Sequence, residues 1–166
     1  MEPLTRWVNQ YDLKHLVEME NLAFGGERCR WTENAYVNML RRKNHVGVVL
    51  TLGADIVVGV MVYELMSDGM RLHRLVVHSD YREMGFARRL LEKLCSKLSG
   101  RRQKVLCDVP EDRLEMQLLL KSCGWLATGM DGGAIHFELT RDRLADLATV
   151  DTEEDRSRRR LVGRDD

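Results

Sequence analysis

The residues best placed to do chemistry lie together in Leu75-Val76-Val77-His78-Ser79-Asp80-Tyr81-Arg82-Glu83-Met84-Gly85-Phe86-Ala87-Arg88. An apolar strand pattern runs into a loop, and the loop opens a helix. Gly85 lets the backbone pass close to a ligand, and Ala87 keeps the next approach small. The first helical turn offers unpaired N–H groups and the positive end of the helix dipole. Together they make a cradle for a pyrophosphate, and Arg82 and Arg88 add charge-assisted contacts. The plainer reading of the same residues is an ordinary strand-to-helix connection.

Other groups are candidates by type alone. His73 sits on the strand that leads into the cradle and serves as a base if it faces a cleft, or as a structural histidine if it does not. Tyr36, Tyr63 and Tyr81 are available phenols. Glu27, beside Gly25-Gly26, and Glu64 are carboxylates that either hold an incoming ammonium or stay solvated. The four cysteines, Cys29, Cys95, Cys107 and Cys123, form no CxxC pair, and no HExxH is present. No metal site is therefore expected. No cysteine has a histidine partner in sequence, which argues against a covalent enzyme intermediate.

These residues need a scaffold, and the periodicity supplies one. Leu4 to Val8 is a short strand. Asp12 is the expected N-cap of a helix carrying Leu13, Leu16, Val17 and Leu22, which Gly25-Gly26 breaks. Thr32 caps a second helix that ends in Arg41, Arg42 and Lys43, a basic end suited to the helix dipole. Val46–Leu52, Ile56–Met66 and Met70–Val77 read as an antiparallel meander with Gly/Asp turns between them. Gly85–Leu98 is a helix with Leu90, Leu91, Leu94 and Leu98 on its apolar stripe. Lys104–Val109 is a strand stopped by Pro110. Glu111–Ser122 is a helix with Leu114, Leu118 and Leu119 inside and Gly124 as its terminating glycine. Trp125–Gly129 and Ala134–Leu139 close as a hairpin.

The chain has 166 residues, with 26 Lys+Arg against 26 Asp+Glu. One domain with a real core fits that length, and residues 1–141 are read as that domain. Residues 142–166 lose the pattern and are expected to be a charged, disordered tail. The Arg158-Arg159-Arg160 patch is offset by Glu153, Glu154 and Asp155. A balanced charge argues against direct nucleic-acid binding. No apolar run reaches membrane-spanning length, and a signal-peptide plan is missing at the N-terminus. A cytoplasmic protein is the expectation, as a monomer or a homodimer.

Arg82-Glu83-Met84-Gly85-Phe86-Ala87 resembles the Gln/Arg-x-x-Gly-x-Gly/Ala signature of GCN5-related N-acetyltransferases, and the element order over about residues 4–140 is similar. The resemblance implies a mixed α/β fold with a splayed, mostly antiparallel sheet flanked by helices. It implies acetyl-CoA as co-substrate, with its pyrophosphate on residues 82–88. Val57 to Leu65, together with Phe24 and Trp31-Thr32-Glu33, look more narrowly like the RimI branch, which acetylates protein N-terminal α-amines such as that of ribosomal protein S18. By that resemblance, backbone groups of Leu75, Val76 and Val77 hold the thioester and pantetheine. Asp108 falls at the position of the catalytic glutamate, where it is either the base, acting through a water, or a carboxylate capping the next helix. Arg113 replaces an asparagine that helps to hold coenzyme A, and Leu120 replaces the tyrosine acid. The acceptor implied is a protein N-terminus. A small amine, or a binding module without catalysis, is the alternative. An α-amine, with a pKa near ~8 against ~10.4 for lysine, makes the smaller demand on a weakened base.

Overall fold

The computed structural model describes residues 2–162. The β-branched runs become strands of one sheet: β1 (Pro3–Trp7), β2 (His45–Leu52), β3 (Ile56–Leu65), β4 (Gly69–Val77), β5 (Lys104–Pro110), β6 (Leu126–Asp131) and β7 (Ala134–Thr140). Their spatial order is β1-β2-β3-β4-β5-β7-β6. Every neighbouring pair is antiparallel except β4 and β5. The mixed α/β, mostly antiparallel architecture expected from the sequence is the one observed.

Helices α1 (Leu13–Phe24), α2 (Glu33–Arg41), α3 (Phe86–Cys95), α4 (Leu114–Ser122) and α5 (Arg141–Val162) complete the described chain. Two apolar clusters use the two faces of the sheet. Leu16, Met19 and Tyr36 of α1 and α2 pack with Val49, Val60 and Val62. Leu90, Leu91 and Leu94 of α3 pack with Leu50, Met61 and, across the sheet, Val105 and Phe137. Each of those leucines contributes about 1.5–3 kcal/mol by leaving water.

Three local expectations are corrected. Asp12 makes no side-chain cap to α1. Its carboxylate instead takes a two-pronged bond from Arg6, at 2.7 and 2.8 Å, and a third from the Asn9 N–H at 2.9 Å. Asn9 is the capping residue of the short turn before α1. In α4, Leu114 and Leu118 are exposed and Leu120 is buried. Pro110 ends β5, and α4 begins at Leu114 instead of Glu111, so its inward phase is Met116, Leu119, Leu120 and Cys123. The expected disordered tail is, through Val162, the helix α5. Thr140 Oγ1 caps it by accepting from the Arg143 N–H, and Arg143 Nε donates to the Gly124 carbonyl. Leu144 and Leu147 pack on the core. Leu147 fills the space above Gly124, where an added Cβ would lie 2.2 Å from its Cδ1. Farther along, the side chains face water, which is why the sequence there carries no apolar period. Residues 163–166 lie outside the described residues.

Asp12 also gives a pH prediction. Burial raises its pKa, but the Arg6 and Asn9 bonds outweigh burial and hold the carboxyl below its usual value. A depressed folded-state pKa adds stability that is present above the unfolded value of about 3.9 and is lost as pH falls through the folded value. Asp12→Asn is therefore expected to flatten the melting temperature against pH over that acid range. A curve parallel to wild type would show that Asp12 carries none of the dependence.

Candidate active site

The site begins where β4 and β5 part. They pair only over Gly69↔Lys104, Met70↔Val105 and Arg71↔Leu106. Gly69 allows that contact, since a Cβ there would lie 2.5 Å from the Lys104 carbonyl oxygen. Beyond Arg71 the edge of β4 that faces β5 has no strand partner among the described residues, and β5 pairs onward only with β7.

A cavity of about 660 Å³ opens in this gap and runs over the start of α3. Ten of the eleven expected contacts line it: Leu75, Val76, Val77, Arg82, Glu83, Gly85, Phe86, Ala87, Arg88 and Arg113. Met84 does not. It is exposed and borders a separate groove on the other side of the loop. The loop owes its shape to two left-handed residues, Glu83 (φ 63°) and Gly85 (φ 81°). At Gly85 the left-handed backbone, more than crowding, requires glycine, because an added Cβ meets no atom within 4 Å. Arg88 is bonded to Ser122 Oγ at 2.8 Å, tying α3 to α4, and Arg82 lies 3.8 Å from Glu115.

A smaller arm of about 130 Å³ shares Phe24, Leu75, Arg113 and Met116 with the main cavity and adds Cys29, His73, Arg74 and Asp108. Asp108 stands on β5 with both oxygens engaged, Oδ1 with His136 Nδ1 at 2.5 Å and Oδ2 with Arg71 at 3.1 Å. The Asp108 contact, aided by Asp131, raises the pKa of His136. Arg113 lies over the Phe24 ring and pairs with Glu27 and Cys29 instead of standing free. His73 is the extra residue of a β-bulge: Leu72 opposes Tyr63 and Arg74 opposes Val62, leaving His73 unpaired between them. Bulges of this kind re-aim a side chain beside a site. Its Nε2 is 2.9 Å from Glu64 Oε1, and this bond holds the Glu64 carboxyl below its ordinary pKa.

Other expected groups are placed elsewhere. Leu120 is fully buried. Tyr36 is locked in a buried pair, Tyr63 is buried, and burial raises both phenol pKa values. Tyr81 is the phenol that borders the main cavity. Burial pushes the Cys107 thiol up to about 12, so it is a poor thiolate source.

Sequence reasoning missed the support of the arm. Glu20 on α1 is fully buried. It accepts from Arg74 Nε at 2.8 Å and from Arg74 Nη2, from the Tyr36 hydroxyl at 2.6 Å, and from the Trp31 N–H at 3.2 Å. Arg74 also lies over Phe24, 4.5 Å from its centroid. The available signal was a glutamate four residues after Leu16, on the apolar face of an amphipathic helix.

The family model for the acetyltransferase (GNAT) family matches residues 11–125. The chain belongs to the GNAT family. This GNAT protein is an acetyl-CoA-dependent N-acetyltransferase. Its fold is similar to the ribosomal-protein-S18-alanine N-acetyltransferase of Escherichia coli, at 20% identity and a TM-score of 0.70, covering 84% of this chain and 94% of that one. It is also similar to the spermidine N-acetyltransferase of Vibrio cholerae solved with CoA and spermine, at 12% identity and a TM-score of 0.67, covering 86% and 98%. An acetyltransferase from Thermus thermophilus matches at 17% identity and a TM-score of 0.70, covering 84% and 97%. No curated protein matches this sequence.

The GNAT loop fits such a co-substrate on its own geometry. Its left-handed residues and the start of α3 leave backbone N–H groups without helical partners, and Arg82 and Arg88 stand beside them on the cavity wall. Acetyl-CoA at about one hundred times its dissociation constant is expected to add about 2.7 kcal/mol. For a chain of this size that raises the melting temperature by roughly 5–11 °C. An unchanged melting temperature at saturating acetyl-CoA would mean the loop holds no co-substrate.

Proposed function

We propose that the enzyme transfers acetyl directly to a protein N-terminal α-amine. The observation that supports this reading is the charge balance of the acceptor arm. Asp108 is paired with Arg71 and His136, Glu27 with Arg113, Glu20 with Arg74, and Glu64 with His73. A polyamine brings several positive charges and needs several carboxylates to receive them, whereas Asp108 is the one carboxylate that lines the arm among the described residues. The arm instead suits a single amine.

Residues 82–88 would hold the pyrophosphate, with Arg113 beside them, and the open edge of β4 at Leu75, Val76 and Val77 would hold the arm that ends in the thioester. When bound there, acetyl-CoA supplies an activated acetyl group. The chain must orient the amine and take its proton. Asp108, expected from sequence as the base, faces the arm with its oxygens already bonded, and we assign it the reception of the ammonium. His73 takes the proton. Glu64 accepts the Nε2–H, which leaves the lone pair on Nδ1. An imidazole is a closer match in basicity to an α-amine than a carboxylate is. With leucine at position 120, solvent returns a proton to the departing thiolate.

The acceptor is tested by mass spectrometry after reaction with equimolar peptides, spermidine and an N-terminally blocked lysine peptide. Acetyl on free peptide N-termini is the expected product. Acetyl on spermidine alone would replace this reading with that of a small-amine enzyme.

A further inference from the structure

We infer that His45, Glu64 and His73 form a binding site for one zinc-class divalent cation at the back of the acceptor arm. No sequence motif marks it, because the three residues come from β2, β3 and the bulge of β4. Their ligand atoms lie within 4.8 Å of one another. His45 and Glu64 are direct partners across β2 and β3, with Nε2 3.6 Å from Oε1. His73 Nε2 is 2.9 Å from the same oxygen. The two imidazoles are stacked, with centroids 5.3 Å apart and planes 16° from parallel.

The independent observation is at His45. Its side chain is 7% exposed, and its Nε2 is buried with no hydrogen-bond partner among the described residues. Its Nδ1 is 2.9 Å from the Lys43 carbonyl oxygen, an acceptor that can only be met by Nδ1–H. In the neutral ring the lone pair is then on Nε2, aimed toward a carboxylate that also offers lone pairs. Two acceptors meet there with nothing between them. A cation resolves the conflict, and the backbone carbonyl already supplies the outer bond that metal-bound histidines use. Two imidazole nitrogens and one carboxylate oxygen make a donor set suited to zinc. Arg71, the arginine whose charge acts on Glu64, is drawn aside by its bond to Asp108. The metal takes the place of the proton between His73 and Glu64. That proton moves to His73 Nδ1, so the metal-bound ring is neutral and no other bond changes. In this cation-bound form His73 has no free lone pair with which to take the amine's proton.

The test is calorimetric titration of the full chain with Zn²⁺, alongside the visible spectrum with Co²⁺. One metal per chain is expected, with cobalt bands that lack sulfur charge transfer. His45→Gln and Glu64→Gln should each weaken binding by at least about tenfold, given that even outer-shell losses cost 10–100-fold. Glu64 is partly exposed, so Glu64→Gln remains informative if His45→Gln fails to fold. The absence of binding, a sulfur charge-transfer band, or affinity unchanged in the folded variants would overturn the site. The binding readout is independent of activity, so it stands or falls separately from the acceptor assignment.

Discussion

Glu20→Ala is expected to destabilise the enzyme by about 3–5 kcal/mol, the range for removing one partner of a buried ion pair. For this chain length that lowers the melting temperature by roughly 6–20 °C. The size follows from what is left behind. The Arg74 side chain is only 13% exposed and loses both of its bonds to Glu20. The fully buried Tyr36 hydroxyl loses its acceptor, and so does the Trp31 N–H. Contact with Phe24 and Trp31 does not replace a counter-charge for Arg74. Glu20→Gln keeps the shape and some of the bonds, and should fall between the two. Thermal melts of both variants decide the matter. A loss under about 1 kcal/mol in Glu20→Ala would mean the pair behaves as a screened surface pair.

His73→Gln is expected to reduce kcat/KM by about 10²–10⁴-fold, the usual contribution of a positioned base. Each factor of ten corresponds to about 1.36 kcal/mol of barrier. The variant should retain its acetyl-CoA-dependent rise in melting temperature, because the cradle lies farther along the chain. The discriminating measurement is the split between kcat and KM. His73→Gln should lower kcat with KM little changed, because only the proton transfer is lost. Asp108→Asn should raise KM and keep kcat, because only the binding of the ammonium is weakened. The opposite split, with kcat lost in Asp108→Asn and kept in His73→Gln, would return the base to Asp108.

The cradle was legible in the sequence because it is local. Strand, loop, Gly85 and helix follow one another, and the left-handed turn leaves a mark in residue type. The strands and most helices were legible for the same reason. Asp108 was legible as a position, but its partners Arg71 and His136 come from other strands, and only pairing registers join them. His73 depended on one irregularity. The alternation of β4 puts it with Arg71 on the face of Glu64, but the bulge that leaves it unpaired there shows only in the strand register. The Glu20–Arg74 pair spans α1 and β4, and no local pattern links the two. The helix α5 was misread because an exposed, highly charged helix has no apolar stripe to announce it. Its pairing, such as Asp155 with Arg159, is a weak signal amid so many charges.

The parting of β4 and β5 also bears on association. A sheet normally has two edges, each a template on which another chain can pair. Here the outer edges are β1 and β6, and β6 is exposed along its whole length. A register shift at Ala127/Gly129 breaks its regularity. The stretch Leu72–Val77 is a third edge, but it is interior, set between α1 and α4 with the cavity in front of it. It offers backbone donors and acceptors to a slender extended molecule and denies them to a second sheet. The fold thus keeps its most adhesive backbone where only something thinner than a strand-bearing protein can reach it.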